Sequence, residues 1–290
     1  MKAYFYKYQA LGNDMVVIDP ARFDFALTPA TIQLICDRHF GLGADGICYG
    51  PLLDGTHPHP MRFFNPDGSE SGKSGNGLRI FARYLWDQGY VEQPVFDIWI
   101  GGGVVEAEVK DEMARTLTIG MGQLSFRSAD IPVSGPTREV VNEVMTIAGS
   151  DYRVTAVTIG NPHCVIFTDQ VSEAATRIAG PAIELDPHFP QRTNVQFVRV
   201  VDRHTIQVEI WERGAGYTLA SGTSSCAAAG AAIRTGQCDS PVEVRMPGGV
   251  AQVDLTPDWR VTLTGRVEAV SYGSLAGDLV AKFGDSRQQT

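Results

Sequence analysis

The sequence predicts an α+β fold made of two similar halves, and three observations carry that prediction. A pattern in the first half recurs in the second at a nearly constant offset. Strand-like pieces alternate with short helical ones. The chain has 290 residues and 43% hydrophobic content, enough for two modest cores.

The repeat is clearest at two Gly-rich loops. FFNPDGSESGKSGNGLRIFARYLWDQG runs from a strand-like stretch through a loop to Ser74-Gly75, then along a helix to Gly89. EIWERGAGYTLASGTSSCAAAGAAIRTG does the same through Ser221-Gly222 to Gly236. Ser74 and Gly89 are 15 residues apart, as are Ser221 and Gly236, and Asn65 precedes its serine by the same 9 residues as Glu212. Two more pairings extend the register, IWIGGGVVEAEV with VRMPGGVAQVDL and LGNDMVVID with IGNPHCVIFTD, at offsets between 146 and 148. Identity within each pairing is low, but their common order and spacing make chance a poor explanation.

In chain order, TPATIQLICDRH reads as a short helix and GLRIFARYLWDQ as the helix that follows the first loop. VVEAEV, TLTIGM and TAVTIG read as strands, SEAATRIAG as a helix, and TIQVEIW and RVTLTG as strands again. The halves are expected over 1–125 and 126–267, changing near LSFRSADIPVSGP, where Ser and Pro cluster. A segment at about 268–283 is expected to return to the first half, leaving 284–290, GDSRQQT, as a disordered tail.

The formal net charge of −9, with no offsetting Lys/Arg cluster, argues against affinity for nucleic acid or anionic lipid. The opening MKAYFYKYQALGND lacks the apolar stretch of a secretory signal, and no run approaches the roughly 18 apolar residues of a membrane span. The cytoplasm is therefore the expected location. Cys36, Cys48, Cys164, Cys226 and Cys238 are odd in number, widely spaced and without C-x-x-C, which reads as buried thiols in a reducing compartment. The histidines lack zinc spacing, so no metal is expected; His57 and His59 lie in a Pro-rich loop and read as solvated.

Two motifs are decoys. GLGADG, Gly41 to Gly46, has dinucleotide-fingerprint spacing but follows a helical stretch where the fingerprint needs a strand. GSESGKS resembles a phosphate loop but has three residues between Gly68 and Gly72 where the cradle needs four.

Strand, Gly-rich turn and Ser-Gly at a helix start together present unpaired backbone N–H groups at the positive end of a helix dipole, a tip suited to carboxylate. Two such tips related by pseudo-symmetry are expected to face each other across a cleft, with Ser74 and Ser221 on opposite sides of one bound molecule. That placement suits removing a proton from one face of a carbon and returning it to the other. The plain alternative for both serines is helix capping. Asn65, Asn161 and Asn194 could likewise be turn residues, Glu212-Arg213 a structural ion pair, His163 a satisfied buried histidine, and Lys73 a solvated lysine.

LGND, HFGLGADG, FNPDGSE, SGNGLR, GNPHC, RTNVQF, WERGAG, SGTSSCAAA and MPGGV occur in the order of one family, and over nearly its whole length the chain resembles the diaminopimelate epimerases. The resemblance implies two duplicated domains with the active site in the cleft between them. It also implies amino acid metabolism, lysine biosynthesis in particular, and epimerisation by two cysteines without metal or PLP, so no cofactor is expected. It places the acid–base roles on Ser74 and Ser221, and the α-carboxylate on the amides of Gly75, Asn76, Gly222 and Thr223. The far end of the ligand falls to Asn65, Asn161, Asn194, Glu212 and Arg213, while Asn13 and His163 match positions lining the cleft.

The chain also departs from that family. Serine stands at both cysteine positions, Lys73 precedes the first, Tyr217 replaces an acidic residue, and Ile80 sits where another Cys is frequent. An aliphatic hydroxyl stays protonated near neutrality and needs a neighbour to take its proton; Lys73 and His163 are the candidates. The leading reading is a cofactor-independent epimerase or racemase. Its competitors are an isomerase or lyase using Lys73 as base, and a non-catalytic amino acid-binding homologue. The expected partner is a small-molecule amino acid or amino dicarboxylate, with no nucleic acid and no membrane; a homodimer is compatible with this reading.

Overall fold

A computed structural model describes residues 1–72 and 74–283. Lys73 and the 284–290 segment, expected to be a tail, lie outside the described residues. The chain forms two compact units, Met1–Ile119 together with the chain from Gly265 onward, and Gly120–Thr264. No helix among the described residues is long and apolar enough to cross a membrane.

The first unit runs β1 (Tyr4–Ala10), β2 (Asn13–Ile18), α1 (Pro29–Cys36), β3 (Ile47–Tyr49), β4 (Arg62–Phe64), β5 (Glu70–Ser71), α2 (Gly75–Asp87), β6 (Val95–Ile100), β7 (Gly103–Val109) and the start of β8 (Thr116–Gln123). The second runs β9 (Glu143–Ile147), β10 (Ser150–Thr158), β11 (Pro162–Phe167), α3 (Glu173–Glu184), β12 (Asn194–Asp202), β13 (Thr205–Glu212), β14 (Gly216–Thr218), α4 (Gly222–Arg234), β15 (Val242–Met246), β16 (Gly249–Leu255) and most of β17 (Arg260–Arg266). β18 (Glu268–Ser274) and the short α5 (Gly277–Val280) then belong to the first unit.

The strand pairings repeat as the sequence does. β1 pairs antiparallel with β2 and β2 parallel with β3; β10 pairs antiparallel with β11 and β11 parallel with β12. β18 lies antiparallel along β1, where β9 lies along β10, so the last strand supplies the first unit with the edge that its own order lacks. The two 13-residue helices match in detail. Ser74 and Ser221 both have extended backbone, at φ −134°, ψ 118° and φ −142°, ψ 128°, and both cap the helix with Oγ. Gly89 and Gly236 both follow their helix at φ near +70°, a left-handed turn that glycine adopts without strain.

Each unit has its own core. In the first, Val16, Ile18 and Ile47 from the sheet meet Ile32 and Ile35 from α1. In the second, Val154, Ala156, Cys164 and Val195 meet Ile183 from α3. Full burial of such side chains contributes roughly 1.5–3 kcal/mol each, which is what holds strands and helices together. All five cysteines are buried.

Three segments differ from their expectations. α1 stops at Cys36 rather than running to His39, because Asp37 leaves helical geometry and its Oδ1 accepts the N–H groups of His39 and Phe40, each at 2.7 Å. α3 continues through Pro181 to Glu184, although Pro181 has no N–H and leaves out one i→i−4 bond. The Ser- and Pro-rich stretch around 124–136 is packed into the second unit, with Leu124, Phe126, Ile131 and Val133 buried and Phe126 edge-on to Trp259. Its polar residues masked an alternation of apolar ones.

Candidate active site

In the first unit the site residues gather at the start of α2. Ser74 Oγ accepts the N–H of Gly77 at 3.1 Å, and the first turn-closing bond runs from Leu78 N–H to the Ser74 carbonyl. The N–H groups of Gly75 and Asn76 come before that bond and have no acceptor within the helix. Asn13, opening β2, accepts from Asn76 Nδ2 at 3.2 Å and donates to Asp45 Oδ2 at 2.9 Å. Asn76 in turn accepts from Arg79 Nη2 at 2.5 Å.

Asn65 is held by its own turn. Its carbonyl accepts from Gly68 N–H, its N–H donates to the Ser69 carbonyl, and its Nδ2 donates to Ser69 Oγ at 3.0 Å. Glu212 repeats this backbone role, its carbonyl accepting from Ala215 N–H.

The second unit places its residues at the start of α4. Ser221, 5% exposed, caps Ser224 N–H at 3.5 Å, and Ser225 N–H closes the first turn onto the Ser221 carbonyl. Gly222 and Thr223 therefore repeat the free first-turn amides. Asn161 Nδ2 reaches Thr223 Oγ1 at 3.5 Å, as Asn13 meets Asn76 in the first unit. Asn194 donates to the Pro162 carbonyl at 2.8 Å and accepts from Arg213 N–H at 3.0 Å. Arg213 is exposed, with Nη1 on the Gln191 carbonyl.

His163 is fully buried between Asn161 Oδ1, 3.0 Å from Nε2, and Gln196 Nε2, 3.1 Å from Nδ1. Each ring nitrogen thus meets one side-chain amide, Nε2 that of Asn161 and Nδ1 that of Gln196. Burial pushes the imidazole pKa down to about 3, with the Arg213 charge adding to the effect and the Gln196 hydrogen bond opposing it. A ring so placed is neutral and weakly basic, and orients its neighbours better than it takes protons.

Tyr217 is turned to the sheet and to α3. Its hydroxyl donates to Glu209 Oε2 at 2.6 Å and its ring lies 4.5 Å from the Arg177 guanidinium carbon. Burial and then the Glu209 carboxylate push its pKa up, so it stays protonated.

Sequence reasoning missed Gln196, Glu184, Asp45 and Arg79. Gln196 carried a signal, a polar residue in the apolar run VQFV, and Arg79 another, a charge between Leu78 and Ile80. Glu184 carried none. It lies at the end of α3, where Oε2 accepts from Trp211 Nε1 at 2.7 Å and Oε1 from Gly214 N–H at 3.0 Å, fixing the turn that bears Glu212 and Arg213.

The duplicated capped tips, each beside a paired asparagine, agree with what comparison with known proteins shows. The family model described as diaminopimelate epimerase matches residues 5–126 and 155–270. The protein called diaminopimelate epimerase 2 of a Nostoc species is 51% identical over 277 residues, covering 96% of this chain and 97% of that one. Diaminopimelate epimerase 1 of the same species is 37% identical over 280 residues, covering 95% and 100%. Among solved structures, a hydroxyproline epimerase from Agrobacterium vitis shares the fold with a TM-score of 0.70 at 14% identity, covering 96% of this chain and 94% of that one. A methylitaconate-delta-isomerase does so at 0.61, again with 14% identity and 95% of each chain covered. This chain belongs to the diaminopimelate epimerase family and is an isomerase.

Proposed function

We propose that the chain is a cofactor-independent epimerase acting on diaminopimelate or a closely similar amino dicarboxylate. The observation that carries this reading is the 51% identity, over nearly the full length, to a protein called diaminopimelate epimerase 2. The capped tips support it: each offers two first-turn N–H groups at the positive end of a 13-residue helix, which suits a carboxylate.

In this reading Gly75, Asn76, Gly222 and Thr223 bind the α-carboxylate. Asn13, Asn65, Asn161, Asn194, Glu212 and Arg213 recognise the rest of the ligand. Ser74 and Ser221 occupy the acid and base positions, and Lys73 is the neighbour that takes a hydroxyl proton. His163 holds Asn161 in place, and Tyr217 supports β14.

The test is to dialyse the protein against chelator and incubate it, at a concentration matching the substrate, with L,L-diaminopimelate. Chiral chromatography then reads the stereoisomers. The meso isomer should form without added metal or PLP. Its absence from that incubation, or its appearance only when metal or PLP is restored, overturns the proposal.

A further inference from the structure

We propose that Asp45 is a positioning residue: its carboxylate fixes the direction of a hydrogen-bond chain that sets Asn13 and Asn76 at the tip of α2. The inference rests on the proposed function for the ligand that the tip holds, but the chain of bonds stands by itself in the first unit.

The chain has three links. Arg79 Nη2 donates to Asn76 Oδ1, Asn76 Nδ2 donates to Asn13 Oδ1 at 3.2 Å, and Asn13 Nδ2 donates to Asp45 Oδ2 at 2.9 Å. A guanidinium can only donate and an ionised carboxylate can only accept. With such groups at the two ends, each amide between them has a single satisfactory orientation. Reversing either one sets donor against donor or acceptor against acceptor, an arrangement that is costly where Asn76 is 5% exposed and Arg79 not at all. The absence of a side chain at Gly265 matters here, since a Cβ there would come within 3.2 Å of the Arg79 guanidinium carbon.

Asp45 is itself held from several sides. Its Oδ1 accepts from Arg38 Nη2 at 2.7 Å, its Oδ2 also accepts from Asp14 N–H at 3.2 Å, and its own N–H donates to the Asp14 carbonyl at 2.7 Å. Asp14 is braced by Arg38 and by Lys7 Nζ, 2.7 and 2.8 Å away. Burial raises the Asp14 pKa, and the hydrogen bonds from Arg38 and Lys7 outweigh it, so the pKa is lowered.

The second unit shows what Asp45 changes. There Asn161 gives Oδ1 to His163 and turns Nδ2 to its helix, at Thr223. In the first unit Asn13 turns Oδ1 to its helix and gives Nδ2 to Asp45. Two duplicated tips with the same backbone thus have asparagines of opposite polarity, and Asp45 sets the one in the first unit.

The experiment uses the full chain without ligand. Side-chain amide exchange of Asn13 and Asn76 is followed by NMR in the parent, in Asp45→Asn and in Arg38→Gln, which removes the ion pairs to Asp14 and Asp45 but keeps the Asp45 carboxylate. Exchange of both side chains should quicken at least about tenfold in Asp45→Asn, as expected for loss of a hydrogen bond to a charged group. Arg38→Gln should stay close to the parent, and the α2 backbone amides should keep their protection in both. Should Asp45→Asn not fold, Asn13→Ala severs the chain one link further in and should quicken Asn76 alike. Unchanged exchange in the folded variants, or an equal effect of Arg38→Gln, overturns the proposal. Calorimetry with meso-diaminopimelate separates this inference from the functional reading. At least about fivefold weaker binding in Asp45→Asn supports both. Amides that respond in a parent that binds no diaminopimelate support the positioning role and refute the substrate.

Discussion

His163 Nε2 lies 3.0 Å from Asn161 Oδ1, so a histidine with no solvent exposure is held against the residue that precedes its own strand. Stability should depend on pH through this group. Burial, with Arg213 adding, brings its pKa from 6.5 to about 3 in the folded chain. The unfolded chain therefore binds a proton that the folded chain refuses between those values. The stability this group contributes is fully present above pH 6.5 and is lost as the pH falls towards 3. Urea denaturation of the parent and of His163→Gln, which cannot titrate, should give curves that diverge in slope across that window. Parallel curves would show that His163 is already protonated in the folded chain.

The serine caps should be unequal. Replacing an N-cap serine by alanine costs about 0.5–2 kcal/mol. Ser74 Oγ meets its amide at 3.1 Å, whereas Ser221 Oγ is 3.5 Å from its own, at the limit of a hydrogen bond. Ser74→Ala should fall in the upper part of that range and Ser221→Ala in the lower, as read from denaturant midpoints. A larger loss at Ser221 contradicts the assignment of its hydroxyl as the weaker cap.

Much of this architecture was legible in the sequence because it is carried by backbone-determining residues. Gly89 and Gly236 mark the helix ends by their left-handed geometry, and Ser74 and Ser221 mark the starts, so a 15-residue spacing was enough to reveal the repeat. The site was legible only in part. Asn13 and Asn161 could be paired by position, but their amides meet Asp45 and His163, which reach them through the fold or from a neighbouring strand position. Glu184 was invisible for the same reason: it is 27 residues from Trp211, and nothing in a helix-ending glutamate announces a buried bond to an indole.

Gly180→Ala sets two effects against each other. Alanine in place of glycine within α3 favours the helix by roughly 0.8–1 kcal/mol. A Cβ at Gly180 would, however, lie 2.6 Å from Trp211 Cγ, and Trp211 cannot swing away while its Nε1 is bonded to Glu184. Overpacking of this kind costs about 1–3 kcal/mol, so the variant should be less stable than the parent. It should also loosen the turn at Glu212 and Arg213, seen as faster exchange of the Gly214 amide. A raised melting temperature would mean that the α3–β13 packing is looser than described.

The serines themselves give the last prediction. Removing a weakly acidic α-proton needs a base whose pKa lies near the working pH. Thiols titrate near 8.5 and lower at a helix N-terminus, while an aliphatic hydroxyl stays protonated. Both Ser74 Oγ and Ser221 Oγ already accept a backbone N–H, which leaves each a poorer proton acceptor still. His163 is neutral but weakly basic, so it is a poor group to activate a hydroxyl. Loss of the α-proton signal of L,L-diaminopimelate in D2O should therefore be slow in the parent. It should be faster in the Ser74→Cys/Ser221→Cys double variant, because thiolates become available where the helix ends favour negative charge and the first-turn amides are unchanged. The comparison is made by NMR at equal protein concentration, with circular dichroism confirming that both forms are folded. A parent that exchanges at roughly 10 per second or more, typical of an efficient enzyme, together with a cysteine variant that gains nothing, would show that serine suffices here and that its activation lies in contacts other than the caps.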